Sequence, residues 1–156
     1  AALLVFRALP PKHVAVSQGI WKTATPVAVV GFIAVVVGVL VTGAGPHSGD
    51  AFSVRNGLDL DLWQHLHSYP AYALLLLALF QLGLLSKRDK SGLERSYQLK
   101  ISAWLVVTTI AQAFIGVAQA RLGVPAGLVA LHMLGASVLC ALLTLQWLAI
   151  RGKTNG

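Results

Sequence analysis

Apolar residues fill four long runs of this chain, at about 25–44, 62–85, 99–120 and 127–150, and polar residues gather in the gaps between them. About 20 apolar residues in helical form cross a bilayer core of ~30 Å, so each run is long enough to span it. The pattern therefore predicts four membrane-spanning helices. Short connectors between successive runs make neighbours antiparallel, which predicts an up-down-up-down bundle. The expected fold class is all-α and integral to the membrane.

The gaps, and the polar positions inside the runs, add detail. Ala1-Ala2-Leu3-Leu4-Val5-Phe6, followed by Arg7, reads as the end of a helix that begins earlier. Residues 1–22 are then that end plus a cytoplasmic connector holding Pro10, Pro11, Lys12 and His13, and 23–156 is the four-helix domain. In the first run Gly31, Val35, Gly38, Thr42 and Gly45 recur every three or four residues. Such a stripe of small side chains lets a neighbouring helix, or a flat ligand, come close to the backbone. A Gly/Pro-rich break follows, and a polar loop continues to Asp61, which is expected to cap the second helix by accepting from its free N–H groups. Trp63 and Tyr69 mark an interfacial belt, and Pro70 is expected to bend that helix. The third run carries Thr108, Thr109, Gln112, Gly116 and Gln119 mainly on one stripe, which should face the bundle.

Composition agrees and narrows the class. The chain of 156 residues is 56% hydrophobic and 11% charged, against about 25% charged in soluble domains, too little to cover a water-facing surface. A net charge of +7 does not indicate nucleic acid, because the bases are not interleaved with aromatics on a polar face. Arg7, Lys12, Lys22, Lys87, Arg88, Lys90, Arg95, Lys100, Arg151 and Lys153 fall on one side of the predicted bundle, and only Arg55 and Arg121 on the other. By the positive-inside rule the first side is cytoplasmic and the 46–61 loop is external. The single cysteine, Cys140, lies within an apolar run, which excludes a disulfide framework and a thiolate metal site.

Two histidines interrupt the apolar pattern at equivalent places. His67 lies near the start of the second run and His132 near the start of the fourth, each preceded by leucine. A weak internal repeat surrounds them. Gly38-Val39 is followed seven residues later by Gly45 and then by Leu66-His67, and Gly116-Val117 seven residues later by Gly123 and then by Leu131-His132. Both runs go from outside to inside, so the two imidazoles share one depth beneath the outer surface. Ionisable groups inside spans are costly and point to function. Equal depth is what two axial ligands on one haem iron require. Gly135 and Ala136 leave room beside His132 for a flat macrocycle, and Ala71, Leu74 and Ala78 continue the face of His67. The plain alternative for one such histidine is a hydrogen bond to a neighbouring helix; a matched pair favours ligation. His65 competes with His67 but lies on a different helix face. His47 belongs to the polar loop and His13 to the first connector. Arg55 and Arg121 are placed to pair with haem propionates or, equally, with lipid headgroups.

The ordered segments Val41-Thr42-Gly43-Ala44-Gly45-Pro46-His47-Ser48-Gly49-Asp50, Gln64-His65-Leu66-His67, Gln112-Ala113-Phe114-Ile115-Gly116-Val117-Ala118-Gln119 and Leu131-His132-Met133-Leu134-Gly135-Ala136 resemble haem A synthase of the actinobacterial type. The resemblance covers nearly the whole chain and the second half of that family's eight-helix fold. It implies that His67 and His132 ligate a haem b. The family oxidises a methyl group of haem O to a formyl group, supplying haem A to terminal oxidases in the bacterial plasma membrane. The implied partners are the N-terminal half of the same protein, haem O, and haem O synthase or a terminal oxidase under assembly. The family's catalytic acidic residue belongs to the N-terminal half, and the loop cysteines of some members are not present here. Two other readings remain: a stand-alone b-type cytochrome that carries electrons, and a four-helix membrane scaffold without a cofactor.

Overall fold

The structure, a computed structural model, describes residues 18–46, 54–87 and 96–151. The N-terminal apolar stretch, His13, His47 and Asp50 lie outside the described residues. Four helices make up the described chain: α1 (Gln18–Ala44), α2 (Leu60–Ser86), α3 (Ser96–Arg121) and α4 (Ala126–Arg151). They contain 27, 27, 26 and 26 residues, so each is about 40 Å long at a rise of ~1.5 Å per residue. All four are long and apolar enough to cross a membrane.

Each helix overruns its apolar run, and α1 does so most, starting at Gln18 where the apolar pattern begins near residue 25. Residues assigned to a connector by their polarity therefore form an extra turn and a half. Ile20 and Ala24 are buried there, and the Thr23 hydroxyl satisfies the Ile20 carbonyl at 2.7 Å. Hydropathy marks where the hydrocarbon starts, whereas the helix ends only where its backbone finds other partners.

The start of α2 also differs from expectation. Asp59, not Asp61, is the cap: its backbone is extended and its carboxylate accepts from the Leu62 N–H at 2.8 Å. Asp61 falls inside the first turn, where it complements the helix dipole but is misplaced to cap it. One acidic residue thus lies within a helix, exposed at its outer end. Pro70 sits inside α2, which continues to Ser86; its ring removes the N–H that the Leu66 carbonyl would otherwise accept from.

α1 packs against α2 and α4, and α3 packs against the same two helices. Across the diagonals, α1 to α3 and α2 to α4, no Cα pair lies within 8 Å. The bundle is thus a closed ring of four with a side-chain-filled axis. One apolar cluster, including Val27, Leu74, Ala78, Leu105, Leu139 and Leu143, occupies the middle of that axis. A second, of Ile20, Ala24, Leu85 and Ile150 flanked by Trp21 and Trp147, closes the other end. Gly31 lies against Leu143, where an added Cβ would come within 2.5 Å, so the α1–α4 contact depends on a bare backbone.

Polarity is distributed inside out. Gln81, Gln98, Ser102, Thr109, Gln112 and Gln146 are buried, while Phe32, Leu76, Phe80, Trp104, Phe114 and Leu134 are exposed. Such an apolar outer surface is unsuited to water and natural against lipid, where interhelical packing relies on small and polar groups. Thr109 and Gln112 confirm that the polar stripe of α3 faces inward.

Candidate functional site

His67 and His132 meet inside the ring, across the α2–α4 diagonal. Their ring centroids are 6.4 Å apart and their planes lie at 84°. Each is set about two turns into its helix, so each is about 10 Å from the helix start at a rise of ~1.5 Å per residue. Both are only partly accessible. The Nδ1 atoms of both rings are buried without a hydrogen-bonding partner among the described residues.

Glycines on the preceding helices make room for these rings. A Cβ on Gly38 of α1 would lie 3.0 Å from Cε1 of His67, and one on Gly116 of α3 would lie 3.4 Å from Cε1 of His132. The two glycines of the internal repeat thus hold equivalent places, each against the histidine of its own hairpin. Thr42 fixes its hydroxyl on the Gly38 carbonyl at 3.0 Å, one turn along.

The end of the site nearest the starts of α2 and α4 is closed by a folded-back loop and a tight turn. Asn56 donates its side-chain amide to the Leu40 carbonyl at 2.8 Å, and its backbone N–H to Gly43 at 3.2 Å. Between α3 and α4, Gly123 and Val124 both take left-handed conformations, with φ of 73° and 59°. The Val124 N–H returns to the Gln119 carbonyl at 2.8 Å, and the Pro125 carbonyl accepts from the Leu128 and Val129 N–H groups at 3.0 and 3.1 Å. A left-handed valine is strained, and here it lines a cavity of about 20 Å³ together with Thr42, Gly45, Gln64 and Gln119. That volume suits one water molecule. Gln64 and Val129, on the same cavity wall, are one turn nearer their helix starts than His67 and His132.

The remaining candidates are placed elsewhere. His65 is exposed, and its Nδ1 lies 2.7 Å from the Asp61 carbonyl of its own helix. Arg55 and Arg121 are both exposed and are not drawn to the histidine pair. The space over Gly135, expected to admit a macrocycle, is filled by the side-chain amide of Gln112. A glycine there leaves the backbone bare, and the nearest long polar side chain on α3 has settled onto it. Gln112 and Gln119 each keep a buried Oε1 atom without a partner among the described residues.

The donor set is informative about what it can hold. No group of three or more His, Cys, Asp or Glu is assembled among the described residues. A bare metal ion needs about four protein or water ligands, whereas haem iron takes only axial ligands from the protein. A metal–imidazole bond of about 2 Å, with each ring centre roughly 1 Å behind its nitrogen, separates the ring centres of a linear axial pair by about 6 Å. The observed spacing is of that size, and each ring keeps a buried Nδ1 without a partner among the described residues, a donor pair that would suit a bis-histidine haem.

Sequence inspection passed over one pair inside the bundle. Gln81 and Gln146 are both fully buried, and each lies fourteen residues after a histidine of the pair. The signal was present as an amide at the same offset in two otherwise apolar runs.

No protein-family model, no curated protein and no solved structure matches this chain.

Proposed function

We propose that the chain is the haem-b-binding half of a membrane haem A synthase, an enzyme of the bacterial plasma membrane that oxidises a methyl group of haem O to a formyl group. The observation that carries this reading is the pairing of His67 with His132 across the bundle at matched depth. The ordered motifs that resemble the family support it. In this reading the helices alternate up and down, and the site lies towards the external side, as the partition of basic residues supports.

His67 and His132 are the residues that would hold the haem iron, and Gly38 and Gly116 leave room for their rings. When bound, the haem supplies reversible one-electron exchange at its iron. The residues of this chain bind and orient it, and the folded-back loop and Val124 turn screen it from external water. Gln112, which covers Gly135, would have to move for a macrocycle to be seated there. Arg55 and Arg121, both exposed, are the bases that would be available to pair with the propionates or, equally, with lipid headgroups. The N-terminal half supplies the haem O site, and haem O synthase or a terminal oxidase under assembly are further partners.

A stand-alone b-type cytochrome is the second reading, favoured by the fact that the four helices close a ring on their own. Both readings require the same haem site. Absorption and electron paramagnetic resonance spectra of the purified chain test that site. A low-spin b-type haem is expected, because two imidazoles fill both axial positions. His67→Ala and His132→Ala should each lose the haem or turn it high-spin, while His65→Ala keeps it low-spin. A low-spin spectrum unchanged in both of the first two variants overturns the site.

A further inference from the structure

A second polar layer crosses the bundle far from the histidines. On α2, Gln81 lies between Ala78 of the central apolar cluster and Leu85 of the terminal one. On α4, Gln146 lies between Leu143 and Ile150 of the same two clusters. Thr23 of α1 adjoins Ala24 of the terminal cluster, and Ser102 of α3 is one turn from Leu105 of the central one. All four side chains therefore occupy one level, about 21 Å from the histidine level at a rise of ~1.5 Å per residue.

The level repeats the internal symmetry of the bundle but completes it in only one hairpin. In the first, Gln81 Nε2 donates to Thr23 Oγ1 at 2.7 Å. In the second, Gln146 holds the place equivalent to Gln81, and Ser102 of α3 stands at the same level, one residue past the repeat equivalent of Thr23. Gln146 is 0% exposed and Ser102 1% exposed, and neither amide atom of Gln146 nor the Ser102 hydroxyl has a partner among the described residues. Gln81 Oε1 is also buried and unpaired. Three buried side chains at this level thus leave four polar atoms unmatched between two apolar clusters. Unpaired polar groups in such surroundings are strongly disfavoured.

We propose that this layer is a binding site for internal water, which bridges Gln146 to Ser102 and joins Gln81 Oε1 to the same network. The layer is made of amides and hydroxyls, and its inward-facing described side chains carry no charge, so it matches a neutral ligand that both donates and accepts. Buried water typically makes about three hydrogen bonds, and the layer offers donors and acceptors in that proportion. The apolar clusters above and below limit the ligand to a few atoms. They also seal it: the central cluster stands between this water and the histidine pair, so the layer is an enclosed site and not a channel to the haem site.

Water-edited solid-state NMR of the full chain in lipid bilayers tests the proposal without relying on the function of the histidine pair. Magnetisation from water should reach the side-chain amide of Gln146 about as fast as that of the exposed Asn56, and far faster than the methyl groups of buried Leu74. Ser102→Ala removes one anchor of the bridge, and transfer to Gln146 should then slow. Transfer to Gln146 as slow as that to Leu74 in the parent chain overturns the site, as does a direct Gln146–Ser102 or Gln146–Gln81 hydrogen bond. Transfer unchanged in Ser102→Ala overturns the bridge.

Discussion

At the scale of single residues, the site depends on two glycines whose tolerances differ. A Cβ at position 38 would press on the His67 ring at 3.0 Å, whereas at position 116 it would touch the His132 ring at 3.4 Å. Gly38→Ala should therefore tilt the imidazole and cost about 1–3 kcal/mol, as overpacking does. Gly116→Ala meets ordinary contact and regains roughly 0.5–1 kcal/mol of helix propensity, so it should be near neutral. Thermal unfolding in detergent, with the haem spectrum as a second readout, compares the two; equal effects would show that the rings are free to move. The histidine pair itself was legible in the sequence, because an ionisable side chain in an apolar run stands out and its repeat named the partner. What settled over Gly135 was not legible. Bare backbone invites any neighbour, and only the packing of α3 against α4 shows that Gln112 takes the place.

At the scale of the helix, the ends carry the information that periodicity lacks. Asp59 satisfies an orphan N–H of α2, whereas Asp61 only adds a favourable charge to the first turn. Asp59→Ala should destabilise the fold by about 1 kcal/mol. Asp61→Ala should cost roughly 0.3–1 kcal/mol, and that loss should shrink as salt is added because a screened charge is all that is removed. Unfolding midpoints at low and high salt separate the two, and a larger loss for Asp61→Ala would move the cap back to that residue. The apolar runs gave the number and order of the helices because hydrocarbon thickness imposes a length. They could not give the boundaries, since Gln18 to Lys22 and Leu60 are helical for reasons of packing and capping. Nor does hydropathy reveal that Val124 joins Gly123 in the left-handed region, where its N–H returns to the Gln119 carbonyl.

At the scale of the whole molecule, orientation and activity are the open quantities, and both follow from how charge is distributed. In the proposed orientation, with most bases at the cytoplasmic end, Val54, 96% exposed, would face the outside and Lys87 the cytoplasm. In a Cys140→Ala background, Val54→Cys should react with a membrane-impermeant thiol reagent in intact cells and Lys87→Cys should not; the reverse pattern would invert the bundle. Activity is the sharper test of what this half does. The chain should bind haem b and yet fail to convert haem O to haem A by itself. In the proposed reading His67 and His132 would both be used to hold one haem iron, which would leave no open iron position at which to oxidise a methyl group. The acidic residues placed by the structure, Asp59 and Asp61, stand exposed at the outer start of α2, too shallow for proton transfer inside the bundle, where a general acid or base must reach its proton within about 3 Å. The interior offers instead amides, hydroxyls and two imidazoles, each with a buried Nδ1 lacking a partner among the described residues. Incubating the chain with haem O and a reductant, then separating the extracted haems by chromatography, should return haem O unchanged. Haem A formed by the chain alone would mean that the histidine pair, and not a second half of the enzyme, carries the oxidation.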